Sequence, residues 1–199
     1  LHQVNTDMTR TDQRGYLNQA KSAYEWIYEG DDFWSNRARM PVYPVVQALF
    51  YHPSLSNVDY FIRGKYVNIA LSLGLLGGIF VILRRRLPLV PTVTLTLITG
   101  FTVFMFKAAY FHAALLFYFL NFCAFVMLID MLRRPAWKTA ILTGVVIGIA
   151  YLTKAAMLPA LGLFVLFSVG KVGHLLWARM RSSQEQGAFL ARREDHPAF

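Results

Sequence analysis

The sequence predicts an all-α membrane protein, a multi-pass transmembrane helix bundle with an amphipathic, interfacial helix segment on its outer face. The first observation is composition: 56% of the 199 residues are hydrophobic and 16% are charged, whereas soluble domains carry about 25% charged residues. The second is that the apolar residues are gathered into five runs of 15 residues or more. The third is that basic residues punctuate these runs, as membrane topology signals do.

Composition also disfavours several other classes of protein. The single cysteine, Cys123, excludes an intramolecular disulfide framework and a multi-cysteine zinc site. The 16 Phe, 10 Tyr and 4 Trp are too many for a disordered tail. The net charge of +9 lies between apolar runs, whereas a nucleic-acid partner needs a basic patch on a folded surface. We therefore expect the lipid bilayer as a partner and no nucleic acid, and we predict no cofactor.

Residues 1–65 are predicted to form an outer-face loop, periplasmic or luminal, that contains interfacial helices. Within it, residues 11–29 have helical periodicity, with an aromatic and aliphatic face that suits a helix lying on the membrane surface. Thr11 or Asp12 stands where the N-cap of that helix belongs. The following Gly30-Asp31-Asp32 is expected to be a solvated turn.

Residues 66–177 are predicted to form five transmembrane helices. The apolar segments are Tyr66–Leu83, Leu89–Phe106, Ala108–Met131, Thr139–Thr153 and Ala155–Trp177. The first segment has 18 residues, which as a helix is about 27 Å long and nearly spans a ~30 Å hydrocarbon core. The fourth has only 15 residues, so a tilted, thinned or partly embedded helix is the alternative there.

The loops between these segments alternate in charge. Eleven Lys and Arg residues follow the first, third and fifth segments, whereas the other two connections hold only Lys107 and Lys154. The positive-inside rule then predicts cytoplasmic basic loops and a cytoplasmic polar tail, 178–199, with residues 1–65 on the opposite face. Asp130 lies beside the basic loops, and we expect it to pair with an arginine there.

This topology fits the inner membrane of a bacterium, although an endoplasmic reticulum membrane would obey the same rule. Because residues 1–65 must reach the outer face, we expect a signal anchor to precede them. The chain is therefore expected to be a fragment of a longer multi-pass protein.

Three short motifs occur in order along the chain: Asp12-Gln13-x-x-Tyr16-Leu17-x-x-Ala20, Arg39-Met40-Pro41-x-Tyr43-Pro44 and Gly148-Ile149-Ala150-Tyr151-Leu152-Thr153-Lys154. Together with the topology, they resemble the GT-C superfamily of polytopic membrane glycosyltransferases, such as the protein O-mannosyltransferases and the aminoarabinose transferases. In that family an outer loop that opens with an acidic residue follows the first membrane helix. A later short membrane helix often ends in a Leu-Thr-Lys-like signature.

The resemblance implies an inverting transfer of a sugar from a polyprenyl-phosphate donor to a glycolipid, polysaccharide or protein acceptor. It implies that Asp12 is the catalytic base that removes the proton of the acceptor. The other implied site residues bind the substrate, with three cations for the lipid phosphate and two tyrosines for the sugar: Arg39, Lys154, Arg37, Tyr16 and Tyr43.

Several of these residues also have an alternative interpretation. Asp12 can serve as a helix N-cap only, and Asp7 can occupy the acidic position of the family instead. Arg39 can anchor the chain at lipid headgroups, and Lys154 can snorkel from a helix end. His112 is expected to be an interfacial residue rather than a ligand. Relatives often carry an acidic residue near that position, and its replacement here is why we predict no metal site.

A transporter or channel fragment is the alternative function. Transporters usually place ionisable groups near the middle of their membrane helices, often on broken helices. In this sequence we expect the ionisable groups at the ends of the apolar segments. The charged and aromatic outer segment also favours the enzyme, because a transporter does not need it.

Overall fold

In the computed structural model of the chain, residues 7–8, 12–32, 39–134, 136–159, 161–174 and 177 are described. All regular secondary structure in these ranges is helical, which confirms the predicted all-α class. The helices are α1 (Gln13–Tyr24), α2 (Val42–Ala48), α3 (Asn57–Arg84), α4 (Leu89–Thr99), α5 (Met105–Ala108), α6 (Ala114–Arg133), α7 (Trp137–Thr153) and α8 (Leu161–His174). Shorter turns extend or join them: the π-helical turns Glu25–Glu29 and Gly100–Phe104, and the 3-10 turn Ala155–Met157.

Three of these helices are long and apolar enough to cross a membrane. They are α3, the continuous helix Leu89–Ala108 that contains α4 and α5, and α6. They coincide with the first three predicted segments. The helices α7 and α8 are apolar but have 10–17 residues, and an 18-residue helix is already only about 27 Å long. The fourth and fifth crossings therefore stay predictions.

Helix α3 begins nine residues before the apolar segment predicted to start at Tyr66. Its N-cap is Ser56, whose Oγ accepts a hydrogen bond from the backbone N–H of Asp59 at 3.2 Å. The first turns of α3 are held by burial of Tyr60 and Phe61. Hydropathy alone missed this start, because a cap and two aromatic side chains fix it. The boundary that we predicted at residue 65 consequently falls inside a helix.

A cluster of buried aromatic residues joins α1, α2, the start of α3 and the turn between α5 and α6. We call this assembly, residues 12–29, 39–61 and 109–113, the cap. Its core contains Tyr16 and Leu17 of α1, Tyr43 of α2, Tyr60 of α3, and Phe111. The rings of Tyr16 and Tyr43, and of Tyr43 and Phe111, meet edge to face with centroids 5.3 and 5.8 Å apart.

The predicted helix over 11–29 is confirmed from residue 13 onward, but its predicted environment is corrected. Its aromatic face, including Tyr16, packs inside the cap instead of lying on the membrane surface. The exposed aromatic residues are further along, at Trp26 and Tyr28 in the π-helical turn. Gly30 then ends the helix with φ +80°, a conformation that glycine adopts without strain.

The opposite end of the bundle is joined by an ion pair between the loop after α3 and helix α6. The guanidinium of Arg86 donates to both carboxylate oxygens of Asp130, at 2.9 and 2.5 Å. This confirms the predicted pairing of Asp130. It also places the basic loop at 84–86 away from the cap, in agreement with the alternation of charge along the sequence.

Residues from Leu158 onward form a separate compact unit. Its described part consists mainly of α8, and the rings of His174 and Trp177 lie 6.4 Å apart. The predicted polar tail, 178–199, lies outside the described residues, as does Arg37.

Gly64 tests the packing of the cap, because α3 approaches Phe111 most closely there. A Cβ added at Gly64 would lie 2.0 Å from Cε2 of Phe111, whereas one added at Gly74 would meet no described atom within 4 Å. We expect Gly64→Ala to lower the free energy of unfolding by about 1–3 kcal/mol, because the buried ring has no room to move. Gly74→Ala is the control and should leave stability nearly unchanged. Thermal unfolding in lipid nanodiscs measures the stability of both variants. An equal loss of stability in the two would contradict this packing.

Candidate functional site

Asp12 stands at the N-cap position of α1 but does not cap the helix with its side chain. Its Oδ1 instead accepts a hydrogen bond from Nη2 of Arg39 at 2.9 Å. The Asp12 side chain is 60% exposed, and among the described residues Oδ2 has no hydrogen-bond donor. The carboxylate is therefore oriented by an arginine and keeps one oxygen accessible to a ligand.

Arg39 is held against α1 at three points. Its backbone carbonyl accepts a hydrogen bond from Nε2 of Gln19 at 3.4 Å. Its guanidinium carbon lies 5.9 Å from the centroid of the Tyr16 ring, a cation–π contact. A Cβ at Gly15 would lie 2.1 Å from that same carbon, so the absence of a side chain at position 15 leaves the space that the guanidinium fills. A glycine inside a helix is thus explained by the arginine that packs on it.

The two tyrosines proposed for the sugar pocket are buried. Tyr43 has no exposed surface, and its hydroxyl donates to Oδ1 of Asn68 at 3.1 Å. Burial raises the pKa of the Tyr43 hydroxyl, which stays protonated. Tyr16 is also buried, and burial together with the Asp12 carboxylate raises its pKa while Arg39 lowers it. In this structure Tyr43 does not line an open pocket; it supports Tyr16, which supports Arg39.

A buried amide network behind Tyr43 was missed by sequence reasoning. Nε2 of Gln47 donates to the Tyr43 hydroxyl at 3.0 Å and to Oδ1 of Asn68 at 3.3 Å. Nδ2 of Asn68 donates to the backbone carbonyl of Tyr110, and the Tyr60 hydroxyl donates to the carbonyl of Gln47 at 3.0 Å. The available signal was an isolated amide in each of two apolar runs, since such amides usually hydrogen-bond between helices.

Gln13, the neighbour of Asp12, fixes the start of α1 to the turn between α5 and α6. Its Oε1 accepts from the backbone N–H of Phe111 at 3.0 Å, and its Nε2 donates to the backbone carbonyl of Asp7 at 3.2 Å. This attachment brings His112 against Tyr16, with ring centroids 5.4 Å apart. The alternative base Asp7 is exposed and contributes its carbonyl to this attachment.

His112 is half-buried beside Tyr16 and just before α6, and its interfacial position stays a prediction. Its Nδ1 accepts a hydrogen bond from the backbone N–H of Ala114 at 2.9 Å. Burial lowers the pKa of His112, the charges of Lys154 and Lys107 lower it further, and Asp12 opposes them. The imidazole is therefore neutral near pH 7. With Nδ1 accepting, its hydrogen is on Nε2.

The structure brings together most of the residues singled out in the sequence. Lys154 follows α7, and its Nζ lies 5.9 Å from the centroid of the Phe117 ring near the start of α6. The charge of Lys154 lowers the pKa of His112, so Lys154 lies on the cap side of the bundle. The site thus combines one accessible carboxylate with the guanidinium of Arg39, and the charges of Lys107 and Lys154 act on the neighbouring His112. Such a set can bind a phosphate and accept a proton in the same place.

No family model, no curated protein and no solved structure matches this chain. Membership of the GT-C superfamily consequently stays a prediction based on the three motifs and their order. What the site does has to be argued from its own geometry and charges.

The pKa of His112 reports directly on the arrangement of cations. We expect Lys154→Ala to raise the pKa of His112, since the mutation removes a positive charge that disfavours the imidazolium. Lys138→Ala is a matched control, because Lys138 also lies over an aromatic ring but stands at the other end of α7. That end is about 24 Å away along the helix, beyond a Debye length of about 10 Å. NMR titration of labelled histidines measures the pKa of His112 in both variants. An equal change of this pKa in the two would contradict the proposed arrangement of cations.

Proposed function

We propose that the protein is a membrane glycosyltransferase that transfers a sugar from a polyprenyl-phosphate donor to an acceptor. In this proposal α3, the helix Leu89–Ala108 and α6 cross a bacterial inner membrane, with the cap on the outer face. The alternation of basic loops along the sequence supports that orientation. The acceptor is a glycolipid, a polysaccharide or a protein.

The observation that carries the proposal is the Asp12–Arg39 pair. A carboxylate with one accessible oxygen has the chemistry of a general base. Of the five N–H donors of the guanidinium beside it, Asp12 takes one and the donor on Nε is buried, so the other terminal N–H groups are left for a second anion. A base for the acceptor and a cation for the donor phosphate therefore belong to one site, which can hold both substrates together.

The reaction that fits this arrangement is a single inverting displacement. The acceptor oxygen forms a bond to the anomeric carbon while the bond from that carbon to the phosphate oxygen breaks. The electron pair of the broken bond leaves on polyprenyl phosphate, and the acceptor proton goes to Asp12. Arg39 and Lys154 stabilise the charge on the leaving phosphate, which is where electrostatic catalysis has most effect.

One observation favours the alternative function, transport. Lys65 is 1% exposed, and its Nζ lies 5.3 Å from the centroid of the Phe61 ring. We predicted ionisable residues at the helix ends, and buried ionisable groups in membrane helices often line transport pathways. Lys65 is the ninth residue of α3, however, and belongs to the part of that helix next to the cap. It therefore lies just before the apolar segment that starts at Tyr66, whereas transporters place such groups near the middle of the membrane.

Replacing the base tests the proposal. We expect Asp12→Asn to lower sugar transfer by about 10²–10⁴-fold, because the amide cannot accept the acceptor proton. Asp31→Asn is the matched control. Asp31 is an exposed acidic residue in the loop that flanks the cap, and its replacement should leave sugar transfer unchanged. Both variants are measured in the complete protein, with a radiolabelled polyprenyl-phosphate sugar and membrane abundance followed in parallel. Near-normal turnover of the Asp12 variant at normal abundance would remove Asp12 from the mechanism.

Replacing the cation tests the phosphate site. We expect Arg39→Ala to raise the KM for the donor by about tenfold or more, because a hydrogen bond to a charged group is lost. The KM for the acceptor should change much less. Gly15→Ala should act in the same direction by displacing the guanidinium, while alanine itself favours the helix. An equal loss toward donor and acceptor in both variants would indicate a folding defect and contradict a phosphate contact.

A further inference from the structure

We infer that His112 is a further substrate-binding residue, whose Nε2–H donates a hydrogen bond to the phosphate of the lipid-linked donor. The inference rests on the proposed function and names a residue that neither the motifs nor the resemblance assigned. It is carried by the hydrogen bonding of the imidazole and by the position of the ring.

The hydrogen bonding of His112 determines which nitrogen is a donor. Nδ1 accepts a hydrogen bond, at 2.9 Å, from the backbone N–H of Ala114, which is the first residue of α6. That N–H has no partner within its own helix, so the imidazole satisfies it. An imidazole that accepts at Nδ1 carries its hydrogen on Nε2. No described residue accepts from Nε2, so this donor is free for a ligand.

The position of the ring places this donor at the anion site. The imidazole of His112 and the guanidinium of Arg39 both contact the ring of Tyr16, at 5.4 and 5.9 Å from its centroid. Lys154 and Lys107 lie near enough to act on the imidazole. In such surroundings a neutral donor adds a hydrogen bond without adding a repelled positive charge. A phosphate is the ligand that uses all of these groups.

The two nitrogens of His112 have separate roles, so two substitutions separate them. Asparagine reproduces the acceptor at Nδ1 and is a favoured residue before a helix, but it has no group at the position of Nε2. Glutamine reaches the position of Nε2 with an N–H donor, but it does not reproduce the Nδ1 contact. His112→Asn therefore removes the proposed contact and keeps the helix start, and His112→Gln does the reverse.

Binding of polyprenyl phosphate to the complete protein in lipid nanodiscs tests the inference without needing turnover. We expect His112→Asn to weaken binding by about tenfold or more with an unchanged unfolding temperature, because a bond to a charged group is lost. His112→Gln should bind within about threefold of the wild type, since a donor at Nε2 remains. His52→Asn is the matched control: the Nδ1 of His52 also has a partner, Ser54 Oγ at 2.7 Å, but the side chain is exposed away from this cluster.

The outcomes distinguish this inference from the function on which it rests. If the wild type binds and His112→Asn binds equally well, His112 makes no contact with the phosphate. If His112→Gln loses as much affinity as His112→Asn, the loss is structural and the inference is wrong. Polyprenol, which lacks the phosphate, should bind the wild type and His112→Asn alike. If His112→Asn loses as much affinity for polyprenol as for polyprenyl phosphate, the inference is also wrong. No binding of polyprenyl phosphate by the wild type would overturn the proposed function itself.

Discussion

The hydrogen bond between the backbone N–H of Phe111 and Oε1 of Gln13 joins parts of the chain 98 residues apart, and the site depends on it. It attaches the start of α1 to the turn 109–113. Asn68 holds the same turn from α3 through the carbonyl of Tyr110. With both bonds made, His112 contacts the ring of Tyr16, and that ring also lies against Arg39, the partner of Asp12. Neither Asp12 nor His112 would have a defined position relative to the other if this turn moved.

Buried amides give this attachment its specificity. Gln13, Gln47 and Asn68 have no exposed surface, so each would lose several kcal/mol, of the order of 2–7, if buried without partners. That cost excludes arrangements in which α2 or the turn is displaced, because such arrangements leave the amides unsatisfied. The buried Oε1 of Gln47, which has no partner among the described residues, is the exception in the network. Polar groups thus define the cap, while apolar contacts stabilise it.

Sequence reasoning predicted the parts of the fold that depend on local patterns. Helix content, the first three apolar segments, the helix after Asp12 and the pairing of Asp130 all follow from periodicity and charge. The contact of Arg39 with Gly15 and the role of Gln13 could not be predicted in this way. They depend on which helices meet, and periodicity and charge patterns along one sequence do not show that. The site was therefore predicted as a set of residues but not as an arrangement, and the contact of His112 with Tyr16 was not foreseen.

The π-helical turn Gly100–Phe104 has a consequence for chain length. Such a turn holds one residue more than an α-helical turn, so everything after it is rotated by about 100° relative to an uninterrupted helix. Phe104 and Ala108 are thereby directed into a core with Leu75, Ile79 and Leu115, and the following turn is set for Phe111 to enter the cap. Removing one residue between 100 and 104 would close this turn into a regular α-helix and leave the direction of the helix end unchanged, whereas adding a residue to a regular part of the helix would rotate the end by about 100°. The π-helical turn thus absorbs one residue of chain length while its end still faces the core.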